Sequence, residues 1–441
     1  MLDNTLINNN FDKEKLIEDY KNYNSLLNTN IPLDTMDISS MIDKIIDKRP
    51  SFIDMFSNNW DLDSYTEKFY TNSELLDNYK DKVKIWKLLN IINSFIWDDY
   101  KNLTVSDIPS IINTWDHFWI LSHPMFLWWN MVYWNYLENI WENKPIISFA
   151  WENISMNNQS YPRWIILNWN KKISFVSDKN KHYNFSDSSL KFKPVNDIEK
   201  IFDIDNKETN KIREIVIEEF SKSEKSIKNT IFNINNKIWN IIYWKDFLQV
   251  PVNTIITKYI LENYEIFTDL FIENKSNVIS FFKDKYWWYI EKDWITNGTT
   301  IWFYVSENQK HKSAILLDDW WYYYKSEDLV TYIDDDDIFN EIKEWNIQLS
   351  LSSVYIILID MWLLPLWWFN QVDYIKNYFE FYQSSTWKNM KNHISFISMF
   401  LWFNFWEINV VDLINWKKKL DGFWKFKINS MIDIDFISKI V

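Results

Sequence analysis

Two of the five histidines in this 441-residue chain, His117 and His123, fall in one short run. It reads Thr114-Trp115-Asp116-His117-Phe118-Trp119-Ile120-Leu121-Ser122-His123-Pro124. An imidazole there can move protons near neutral pH or stabilise a transferring phosphoryl group, and a neighbouring carboxylate can orient it. Asp116 and His117 are therefore the candidates for acid–base or orienting work, with His123 beside them. The competing reading is a turn whose histidines only cap backbone groups. A second cluster holds Glu152, a further candidate acid, followed by Asn157-Asn158-Gln159-Ser160-Tyr161-Pro162-Arg163. Arg163 is one of three arginines, with Arg49 and Arg213. Its planar fork suits bidentate recognition of a carboxylate or phosphate, with Asn157 and Asn158 alongside. A loop network tying strand to hairpin would use the same residues. The third cluster is Leu364-Pro365-Leu366-Trp367-Trp368-Phe369-Asn370-Gln371. No metal site is read: zinc would need a third ligand with no evident position, and the run Asp334-Asp335-Asp336-Asp337 has the consecutive spacing of a solvated loop.

The elements that must position these residues follow from hydrophobic periodicity. Residues 1–100 are polar with helical spacing, including stretches at 12–17, 51–56 and 74–95. A short β-branched run at 108–113 leads into the histidine segment, and 130–143 reads as a helix. Residues 145–150 follow as a buried strand. Strand, turn, helix, strand is the pattern of a parallel sheet. A hairpin is expected from 164–167 and 172–176 across Asn168-Trp169-Asn170, and one charged helix from 207 to 228. Segments 286–305 and 313–324 read as strands, 356–369 as a core segment, and 372–382 as a helix. The division expected is an N-terminal helical region (1–100), an α/β core (101–385) with an insertion near 164–230, and a C-terminal α/β segment (386–441).

Composition then changes how these segments must be read. A chain of this length should carry about 30 glycines. This one has 2, against 29 tryptophans, and the two counts together restore the expected number. Positive-φ turns and close backbone approaches need a residue without Cβ. Ala occurs only twice (Ala150 and Ala314) while Asn, Ile and Lys abound, which fits an AT-rich gene. Most tryptophans are accordingly read as glycine positions, as if UGA codons specifying glycine had been translated as tryptophan. The contexts agree: Asn168-Trp169 becomes Asn-Gly, Asp293-Trp294 and Asp319-Trp320 become Asp-Gly, and Trp367-Trp368 becomes Gly-Gly. Taken literally, the indoles would instead form an aromatic-rich core or carbohydrate-binding surface, with many placed in polar turns where they bury poorly. With glycine, the candidate segments read T-G-D-H-F-G and L-P-L-G-G-F. Thr114, Trp115, Trp119, Trp367, Trp368 and Gln371 then become ligand-binding candidates, because a glycine backbone can meet an anion closely.

The remaining bounds are brief. A net charge of −14 argues against generic nucleic-acid binding. The absence of cysteine removes disulfides, thiolate zinc sites and cysteine nucleophiles. The start Met1-Leu2-Asp3-Asn4 lacks a basic leader region, and the apolar stretches at 354–369 and 394–406 read as core segments, so a cytoplasmic location is expected.

Together the clusters resemble the family of the cysteine-adding enzyme of bacillithiol biosynthesis. That family has a T-G-Q-Q turn and a following G-P segment, resembled by Thr114-Trp115-Asp116-His117 and His123-Pro124. Its A-x-E-D-H-D motif is resembled by Ala150-Trp151-Glu152, although Asn153, Ile154 and Ser155 replace the last three residues. Its L-P, G-G and E-x-x-Y elements are resembled by Leu364-Pro365, Trp367-Trp368 and the stretch 371–374. The likeness spans residues 100–385. It implies an α/β fold with a Rossmann-like parallel sheet, an N-terminal helical segment and a small inserted hairpin/helical region. It also implies a ligand site at the strand ends and a ligase or group-transfer activity on a small anionic metabolite. A nucleotide is the cofactor candidate and a homodimer the candidate assembly, with neither nucleic acid nor membrane as partner. The rival class is a non-catalytic binding or scaffold protein that retains the fold.

Overall fold

The computed structural model describes residues 78–95, 103–108, 111–115, 119–122, 146–152, 163–168, 170–177, 190–222, 226–243, 247–275, 302–307, 311–318, 321–326 and 329–366, together with 14, 40, 43 and 47. Asp116, His117, His123, Asn157, Asn158, Trp367, Trp368, Gln371, the expected helices at 130–143 and 372–382, and the segment 386–441 lie outside the described residues. In chain order the elements are α1 (Lys82–Phe95), β1 (Ile111–Trp115), β2 (Ile146–Ala150), β3 (Trp164–Asn168), β4 (Lys171–Ser174), α2 (Val195–Glu199), α3 (Lys207–Ser221) and α4 (Ile227–Tyr243). Next come β5 (Phe247–Pro251), α5 (Val252–Glu262), α6 (Tyr264–Phe267), β6 (Phe303–Glu307), β7 (His311–Ala314), β8 (Leu316–Asp318), β9 (Trp321–Ser326) and β10 (Leu329–Ile333). The described part ends with α7 (Asp335–Lys343), β11 (Ile347–Leu349), α8 (Leu351–Asp360) and β12 (Leu364–Leu366).

The protein is mixed α/β, and its centre is a four-stranded, all-parallel sheet in the order β12-β1-β2-β5. The chain runs outward from β1 through β2 to β5, then returns to the opposite side of β1 with β12. Ile111 pairs with Leu364 on one side, and Asn113 pairs with Ser148 on the other. Helices cover this sheet with period-3.6 apolar faces. On α1 the buried residues are Ile85, Leu88, Leu89, Ile91 and Ile92; on α5 the buried apolar residues are Val252, Ile255, Ile256, Tyr259 and Ile260. α5 packs on β2 and β5 and against α1 and α8, and α4 packs on β5. α8 is buried from Ser352 through Asp360, as befits a helix apolar on nearly every side. Its Asp360 pairs with Lys84 of α1, and the Asp81 amide donates to the Met361 carbonyl, which fastens α1 to the end of α8.

Smaller antiparallel units complete the fold: β10-β9-β8, β11-β6-β7 and the hairpin β3-β4. That hairpin bears out the sequence expectation, with one adjustment. Asn168 pairs with Lys171, with a register shift between Ile166 and Asn168. Asp318 pairs with Trp321 across β8 and β9.

The single helix expected over 207–228 is two helices. α3 ends at Ser221, and Ser226 accepts a hydrogen bond from the Asn229 amide at the start of α4. The acidic run at 334–337, expected as a solvated loop, is the N-cap and first turn of α7. Asp335, Asp336 and Asp337 lie at the positive end of the helix dipole there, and Lys343 lies at the other end.

Both α7 and α8 end in a Schellman motif. At α7 the Asn346 amide donates to the Glu341 carbonyl and the Trp345 amide to the Ile342 carbonyl. At α8 the Leu363 amide donates to Leu358 and the Trp362 amide to Ile359. The residue after each C-cap, Trp345 at φ 63° and Trp362 at φ 61°, is left-handed. Among the described residues these are the only non-glycine positions with positive φ.

Candidate functional site

The strand order puts the two glycine-like segments side by side. Thr114 and Trp115 are the last residues of β1, opposite Phe149 and Ala150 of β2. On the other flank Asn113 pairs with Leu366, the last residue of β12. The sequences that continue from these two strands begin with Asp116-His117 and Trp367-Trp368. The carboxyl ends of β1 and β12 therefore flank the point where the chain reverses its direction across the sheet.

Beyond residues 116–118 the chain is held firmly. The Ser122 amide donates to the Trp119 carbonyl (3.0 Å), closing a turn over 119–122. Within that turn the Ile120 amide donates to the buried Asn235 side chain of α4 (3.2 Å). Asn235 in turn donates to Gln249 of β5 (2.7 Å), and the Ile166 amide of β3 donates to the Leu121 carbonyl (2.6 Å). Trp119 is 1% exposed, packs edge-on against Phe175 at 5.8 Å, and donates its indole N–H to the Trp164 carbonyl (2.8 Å). Position 119, read from sequence as ligand-facing, is thus placed among core residues.

Glu152 lies just past the end of β2 and is 2% exposed. One carboxylate oxygen accepts from the Thr254 amide and the Thr254 hydroxyl, both at 2.6 Å. The other accepts from the Asn253 amide at 3.1 Å. These donors form the first turn of α5, whose own N-cap residue, Pro251, offers no side-chain cap. Glu152 is consequently a long-range cap: it places a negative charge at the positive end of a helix and satisfies amides that would otherwise be orphaned. Asn253 extends the network by donating to the Leu349 carbonyl (3.0 Å) at the end of β11. An anion that belongs to the chain itself already fills the N-terminus of α5.

Arg163 is half-buried where β3 begins, and its carbonyl accepts from the Phe175 amide (3.0 Å). Sequence reasoning missed Asn235, Gln249, Asn253 and Thr254. For the last three the signal was the segment 247–260, where the short apolar stretch of β5 runs into apolar positions at helical spacing. Among the described residues, no group of three or more His, Asp or Glu is placed to hold a metal ion. Among the same residues, no helix is long and apolar enough to cross a membrane. Compared with known proteins, the chain matches no family model, no curated protein and no solved structure.

Proposed function

We propose that this chain is a Rossmann-like α/β enzyme that binds a small anionic metabolite beyond the ends of β1 and β12 and carries out ligation or group transfer on it. The observation that carries the reading is the order of the four parallel strands. Open parallel sheets bind ligands in the crevice outside the carboxyl ends of their strands, at the point where strand order reverses. Here that point lies between β1 and β12, and the sequences Asp116-His117 and Trp367-Trp368 follow those strands. The capping of α5 by Glu152 favours the same place, because it leaves that helix N-terminus no vacancy for a ligand anion.

In this reading Asp116 and His117 do the acid–base or orienting work, with His123 assisting. Thr114, Gln371 and the backbone at 115, 367 and 368 meet the anion. Arg163 with Asn157 and Asn158 holds a carboxylate or phosphate. Glu152 and position 119 pass to the scaffold. One observation favours the rival, non-catalytic reading: Glu152, the acid shared with the bacillithiol-family motif, has both carboxylate oxygens engaged in structure.

The test uses protein carrying glycine at 115, 119, 367 and 368, titrated with ATP and with small carboxylates by calorimetry, and assayed for turnover. The expected result is saturable binding, with turnover abolished by His117→Ala. Binding without turnover selects the scaffold reading. Saturable binding that is indifferent to changes at 114–117 and 367–371 overturns the site.

A further inference from the structure

We propose that the residues at positions 345 and 362 are glycine in the protein as its own cell makes it, and that these two left-handed helix ends set the course of β11 and β12. The composition of the chain raises the possibility for tryptophans as a group; the backbone assigns it to these two. A residue with Cβ is disfavoured at φ near +60°, where Cβ crowds the following carbonyl, and a bulky side chain at such a position is a true outlier. Among the described residues both non-glycine positions of this kind hold tryptophan. Each falls at the same place, one residue beyond the C-cap of a helix closed by the paired 6→1 and 5→2 hydrogen bonds of a Schellman motif. Glycine is the usual occupant of that place, and Asn the next.

Neither side chain takes part in the hydrogen bonds that close its turn. The indole of Trp345 is 49% exposed at the tip of the turn. The indole of Trp362 stacks on Tyr79 at 5.0 Å, outside the hydrogen-bond network that forms the turn. Neither turn draws on its indole for closure. Each does depend on its backbone conformation: β11 begins two residues after Trp345, and β12 begins two residues after Trp362. The second case bears on the sheet itself, because β12 is the strand beside β1.

The inference is independent of any ligand reading. Protein purified from its source cells is cut at lysine, and the peptide from Glu344 to Lys376, which covers both positions, is sequenced by mass spectrometry. Glycine at 345 and 362 is the expected result; tryptophan at either one overturns the proposal. A second measurement uses the chain with tryptophan at both positions. Trp345→Gly and Trp362→Gly should each raise the thermal midpoint, whereas Trp345→Ala and Trp362→Ala should not, since only glycine relieves a positive φ. Alanine variants as stable as the glycine variants would overturn the backbone assignment.

Discussion

Glu152 shows how a carboxylate that looks chemically promising becomes structural once its partners are known. Three donors from Asn253 and Thr254 converge on it in a buried setting. Glu152→Ala should leave these donors without an acceptor and cost about 2–4 kcal/mol, read as a lowered urea midpoint. Glu152→Gln should cost less, because the amide oxygen still accepts. The acid was legible from its place after a strand, but its partners lie 101 and 102 residues further on. Periodicity carries no information across that distance.

Glu219 makes a different case, with a pH dependence attached. Burial alone would raise its carboxyl, but hydrogen bonds from Lys222, Lys237 and Asn233 outweigh that and hold it at about 2, below the ordinary 4.5. A folded-state value below the unfolded one contributes stability that is complete above the unfolded value and lost as pH falls toward the folded one. Melts taken from about pH 5 down to about pH 2 should therefore show a loss on the order of 3 kcal/mol that Glu219→Gln does not share.

At the scale of elements, stability concentrates in how helices stop. Replacing a β-carbon-bearing residue in the left-handed conformation by glycine removes about 1–2 kcal/mol of strain. Trp362→Gly should gain less of this than Trp345→Gly, because it also gives up the stacking on Tyr79. Chemical denaturation of the two variants checks that order. The hairpin β3-β4 and the strand β2 were legible because turn chemistry and a short apolar run mark them locally. The break between α3 and α4 escaped because 222–226 is polar and charged like the helix before it, and only the Ser226 cap betrays a new start. β5 escaped because five residues of moderate apolarity run directly into α5 without a turn.

For the whole molecule, the decisive feature is the return of the chain from β5 to β12 beside β1. Each half of the candidate site was legible as a glycine-like segment, but their adjacency was not. It depends on pairings such as Ile111 with Leu364, which no local pattern foretells. The same closure is fastened by the buried Asp360 of α8 and Lys84 of α1. Lys84→Met should leave Asp360 with its charge poorly compensated and cost about 3 kcal/mol or more, whereas Lys84→Met with Asp360→Leu should recover much of the loss. Limited proteolysis reports the same contrast, as faster cleavage near α1 in the single variant. The two left-handed helix ends reach beyond the protein itself. If the codons at 345 and 362 are UGA, a cell that makes glycine there charges a tRNA reading UGA with glycine and keeps its release factor away from that codon. With such codons, a host in which UGA ends translation would release the unaltered message at the first of them, so laboratory expression would call for a resynthesised gene.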